Sequence, residues 1–93
     1  MNPSSFESRL RADGYDEIET KQLAAKTDNA THAHPFDVCA LVLEGEITLT
    51  VEGAARAYRN GDVFTMAAGC RHAEQIGGAG VRYLVGRRRT AQS

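Results

Sequence analysis

HAHPFDVCALVLEGEITLTVEG, residues 32–53, decides how the chain folds. It opens on two histidines, His32 and His34, and a run of apolar residues from Val38 to Leu43 follows. Glu44-Gly45 then reads as a turn. Beyond it, Ile47, Leu49 and Val51 alternate with Thr48, Thr50 and Glu52, the period-two pattern of a half-buried strand. Residues two apart on a strand project from one face, so His32 and His34 point the same way. The remaining histidine, His72, lies in GDVFTMAAGCRHAEQ, residues 61–75, just after a Gly-marked turn. These are the only three histidines in the chain, and together they offer a three-nitrogen site for a divalent metal.

Working outward, the rest of the chain is also strand and turn. Ser4 or Ser5 is placed to cap a short helix running to about Ala12, with Phe6 and Leu10 as its narrow apolar stripe and Gly14 as its stop. So thin a stripe must pack on something larger. Tyr15 to Leu23 suits an edge strand, and the polar run Lys26 to Thr31 reads as a loop. Ala57-Tyr58-Arg59 and Val63-Phe64-Thr65-Met66 are short strands separated by the turn Asn60-Gly61. Gly77-Gly78-Ala79-Gly80 reads as a flexible loop, and Val81 to Val85 as the last strand. Short strands at regular spacing argue for an all-β barrel or sandwich.

Size and charge narrow the classes. Ninety-three residues make one small domain, and a formal net charge of −1 gives no overall basic character. No apolar run approaches the roughly 20 residues of a membrane span. The start MNPSSFESRLRADG lacks a basic n-region and an apolar h-region, so the expected address is cytoplasmic, with no membrane and no nucleic-acid partner. Cys39 and Cys70 are expected to remain thiols. Arg87, Arg88 and Arg89 are read as the start of a solvated basic tail, residues 87–93.

Two motifs resemble the cupin family, small jelly-roll β-barrels. In the first, His32, His34 and Gly45 fall in the family's His-x-His…Glu…Gly register, with Val38 at the Glu position. In the second, Gly61, Gly69 and His72 fit, while Ala67 replaces the family's Pro and Ile76 its Asn. Fifteen residues between Gly45 and Gly61 suit the compact form of the barrel. The resemblance implies a single cupin domain: an N-terminal helix and edge strand over 1–31, the motif-bearing barrel over 32–86, then the tail.

It also implies metal ligation by His32, His34 and His72, with iron, zinc, nickel, manganese and copper not distinguished. A fourth ligand has two candidates. Asp37 would need a bulge near Pro35-Phe36 to turn inward, whereas Glu74, two residues beyond His72, shares its face on a regular strand. Glu74 is also the candidate catalytic general base, and an ion pair with Arg71 or Arg82 is its alternative. Phe36, Val38, Ala40, Val42, Phe64 and Met66 are candidate walls of a ligand pocket.

Three functions fit such a barrel. One is a metal-dependent enzyme, an oxygenase or isomerase acting on a small molecule. Another is a non-enzymatic small-molecule binding or sensor barrel. The third is a structural dimerisation barrel with a vestigial site. Small cupins commonly pair, so a homodimer is expected, with Tyr15 to Leu23 at the contact.

Overall fold

The computed structural model describes residues 2–89. One helix precedes six strands: α1 Pro3–Ala12, β1 Glu17–Leu23, β2 Asp28–His32, β3 Phe36–Val51, β4 Ala54–Arg59, β5 Val63–Met66 and β6 His72–Arg89. Pro3 stands in the first turn of α1, where its missing N–H leaves nothing unbonded. The cap is Asn2 and not Ser4 or Ser5: its Oδ1 accepts the Ser5 N–H at 2.8 Å.

The long strands β3 and β6 organise everything else. Each serves two layers, because each bends near its middle. In one layer β1 pairs with β6 over residues 81–87, β6 with β3 over 36–45, and β3 with β5. In the other, β2 pairs with the start of β6, and β6 with β3 over 47–50, which pairs in turn with β4. All these pairings are antiparallel. The architecture is the jelly roll expected, mostly β with one short N-terminal helix.

Glu44-Gly45 and Gly77 to Gly80, read from sequence as a turn and a loop, lie instead inside β3 and β6. Gly45 pairs with Val81 and Ile47 with Ile76, so the glycine run is a large bulge between two paired stretches of β6. Gly45 and Gly80 have φ of +81° and +77°. A Cβ on Gly45 would fall onto the Gly80 carbonyl. The two bends thus need glycine for conformation and for close backbone approach alike.

The expected loop at residues 26–31 is another correction, since Asp28–His32 forms strand β2. The arginine triplet is a third. Arg87, Arg88 and Arg89 belong to β6, opposite Val38, Asp37 and Phe36, and are ion-paired to Glu19, Asp37 and Glu17. The rest of the expected tail, residues 90–93, lies outside the described residues.

Two apolar clusters flank the sheet. Val38, Ala40, Val42, Ile47, Leu49, Phe64, Met66, Ile76, Val81, Tyr83 and Val85 fill the space between the layers. On the outer face Phe6 and Leu10 of α1 pack with Tyr15 on Leu41 and Leu84, so the helix covers the sheet as its thin stripe requires. Cys39 sits half-buried against that outer cluster, where burial pushes its thiol pKa up. Cys70 is likewise half-buried and free.

Candidate metal centre

The three histidines converge at one end of the barrel. One nitrogen from each of His32, His34 and His72 lies within 4.8 Å of the others, close enough for a small inward rotation of the rings to set all three around one ion. The rings are 4.4–5.3 Å apart, centroid to centroid.

Backbone positions them. His32 ends β2 directly opposite His72, the first residue of β6. His34 follows β2 in the connection to β3, its ring stacked on Phe36 at 4.9 Å. The Gly69 N–H donates to the His34 carbonyl at 2.8 Å, tying the β2–β3 connection to the turn that delivers His72. With φ of +82°, Gly69 adopts there a conformation that other residues rarely accept.

Hydrogen bonds fix which nitrogen faces inward. Nδ1 of His32 lies 2.7 Å from the Ala30 carbonyl, and Nδ1 of His72 lies 3.1 Å from the Cys70 carbonyl. Each carbonyl accepts an Nδ1–H, which leaves the Nε2 lone pair for a metal, the usual arrangement behind a ligating imidazole. Burial, then the neighbours His32 and His72, hold His34 below the usual imidazole pKa, which favours its neutral, ligating form.

The carboxylate comes from Glu74. Its Oε2 is 3.3 Å from His72 Nε2 and 4.0 Å from His32 Nε2, while its Oε1 accepts the Asn29 amide at 2.7 Å. Asn29 and Glu74 are cross-strand partners, as are His32 and His72. Residues 29 and 32 would face opposite ways on a regular strand, so the bulge between them is what turns both toward β6.

Asp37, the other candidate, points away. Its Oδ1 accepts the Ala68 N–H at 2.8 Å, and its Oδ2 accepts the Arg88 guanidinium at 3.0 Å on the outer face. Those bonds, the Ala68 N–H before Arg88, hold its carboxyl below the usual range. The register runs unbroken from Phe36 to Val42, and both Asp37 oxygens are engaged away from the histidines.

His72, 1% exposed, faces an acceptor on both ring nitrogens, the Cys70 carbonyl and the Glu74 carboxylate. With Nδ1 turned to the Cys70 carbonyl, Nε2 is the ring nitrogen that faces Glu74. Three imidazole nitrogens within 4.8 Å of one another fit the donor set of a divalent ion.

A cavity of about 500 Å³ opens from this centre. Phe36, Val38, Phe64 and Met66 line it as the sequence suggested, whereas Ala40 and Val42 lie in the core. Lys21, Asn29, Tyr83 and Arg87 also line it and were not foreseen. Burial, then the nearby Glu74 carboxylate, pushes the Tyr83 hydroxyl to about 12, so it remains a neutral donor. Val38, standing where the motif has Glu, is an apolar wall residue.

Residues 20–85 match the cupin domain family. The chain belongs to the cupin family. Solved cupin-like structures agree on the fold. A Rhizobium leguminosarum protein of unknown function superposes with a TM-score of 0.73 at 18% identity, covering 78% of this cupin and 69% of that chain. The cupin domain of Schizosaccharomyces pombe Cnp3 gives 0.71 at 16% identity, covering 78% and 55%. KdgF from Halomonas sp. gives 0.66 at 16% identity, covering 81% of each. No curated protein sequence matches. Among the described residues, no helix is long and apolar enough to cross a membrane.

Proposed function

We propose that this cupin binds one divalent metal ion through His32, His34 and His72, with Glu74 as fourth donor, and takes a small molecule into the adjoining cavity. The observation that carries the reading is the convergence of one nitrogen from each of His32, His34 and His72 within 4.8 Å of one another. When bound, the ion supplies a Lewis acid that polarises a ligand oxygen. Where Glu74 does not serve as the fourth donor, it is the residue on the cavity wall to accept a proton from the ligand. An oxygenase or isomerase reaction on a small chelating molecule is the enzymatic form of this proposal.

The test is elemental analysis of untagged protein purified without chelators. One ion per chain is expected, lost in His34→Ala while the circular dichroism spectrum is kept. A native chain that takes up no ion even after loading with zinc, iron, nickel, manganese or copper would overturn the reading.

Two further expectations belong to it. The free thiols Cys39 and Cys70 support a reducing, cytoplasmic setting. Among the described residues β1 pairs on one side only, with β6, which supports a homodimer closing over its outer edge. A light-scattering mass of one chain would count against the dimer.

A further inference from the structure

The face that β1 turns toward the cavity reverses the usual pattern of a strand. Glu17, Glu19, Lys21 and Leu23 stand opposite Arg87, Val85, Tyr83 and Val81, whereas Ile18 of the same strand packs on the outer cluster with α1. On that face Lys21 and Leu23 line the cavity, so the charge that β1 offers to whatever enters it is the Lys21 ammonium. Glu19 is ion-paired with Arg87 at 2.6 Å, and Glu17 with Arg89 at 2.9 Å. Lys21, half-buried against the cavity, takes part in no ion pair among the described residues.

Lys21, Arg87, Asp28 and Glu74 all line the same space, and the Arg87 charge is met by Glu19. A divalent ion on the three histidines would add a second positive point to that of the Lys21 ammonium. Phe36, Val38, Phe64 and Val85 contribute apolar wall to the same cavity. A cavity charged in this way complements a ligand with two anionic ends and a hydrocarbon middle.

We infer that the cavity takes a dicarboxylate, one carboxylate directed to the three-histidine end and the other held by the Lys21 ammonium. This inference rests on the metal reading above and names the substrate class of the same site. Lys21 is the specificity-determining group, because Arg87 is already engaged by Glu19.

The test uses the full chain loaded with zinc and titrated calorimetrically with succinate and glutarate. Butyrate, which lacks the second charge, and succinamide, which lacks both, are the comparison probes. At least one dicarboxylate is expected to bind about tenfold or more tighter than butyrate, the equivalent of one charge-assisted hydrogen bond. Lys21→Met and Lys21→Gln should each abolish that advantage while butyrate affinity and one zinc per chain are kept. The retained zinc shows that the variants are folded at the site. If dicarboxylates bind no better than butyrate or succinamide, or bind the Lys21 variants as well as the native chain, the inference fails while the metal reading stands. If the native chain takes up no zinc, the metal reading fails and this inference fails with it.

Discussion

Asn29 acts on the candidate metal centre through one hydrogen bond, its amide donating to Glu74 Oε1 at 2.7 Å. That bond fixes the carboxylate so that Oε2 faces His72 and His32. Outer-shell partners of this kind typically change metal affinity by about 10–100-fold when removed. Asn29→Ala is therefore expected to weaken zinc binding within that range, measured by competition with a chromophoric chelator, while the melting temperature of the zinc-free protein changes little. An unchanged zinc affinity would show that Glu74 is not a donor. At this scale the histidines and the direction of Glu74 were legible in the sequence, because strand parity relates Glu74 to His72. Asn29 was not, because it reaches the same face as His32 only through a bulge, and a bulge leaves no mark on residue periodicity.

Among the elements, the short strands were legible and the long ones were not. β5 matches its expected span of Val63 to Met66, and β4 extends the expected Ala57 to Arg59 back to Ala54. β3 and β6 were each divided at their glycines, since glycine inside a strand pattern reads as a stop. What keeps the strands continuous is a contact distant in sequence, the approach of Gly45 to Gly80. Gly45→Ala and Gly53→Ala test this together. Both positions have φ near +80°, but nothing lies within 4 Å of a Cβ at Gly53. The left-handed conformation alone costs about 1–2 kcal/mol in each variant, and the Gly45 variant should lose clearly more in urea unfolding because its Cβ meets backbone. β2 escaped for another reason. Its polar sequence serves two wet surfaces, solvent on one side and the cavity on the other, so it carries no apolar stripe. For α1 the stripe was present and sufficient: Leu10 is 2% exposed, and Leu10→Ala should cost about 2–5 kcal/mol by the same measurement.

For the molecule as a whole, one polar junction joins segments that the sheet hydrogen bonds leave apart. Asp37, at the start of β3, accepts the Ala68 N–H from the β5–β6 turn and the Arg88 guanidinium near the end of β6. Arg88 in turn donates to the Asp13 carbonyl at 2.7 Å, just after α1, and lies over the Tyr15 ring at 4.4 Å. The N-terminal helix, the turn before His72 and both long strands thus meet at one carboxylate. Its native pKa lies below the ordinary value of 3.8. The unfolded chain therefore takes up this proton first as pH falls, so the junction's contribution is complete above about pH 4 and is lost as pH drops through the lower native pKa. Asp37→Asn keeps the shape and removes the charge. Thermal midpoints of the native protein and this variant should differ at pH 7 and converge as pH falls below 4, since the native carboxylate is then protonated as well. A difference that persists undiminished at pH 2 would mean that the junction acts through the packing of Arg88 on Tyr15 and not through the Asp37 charge.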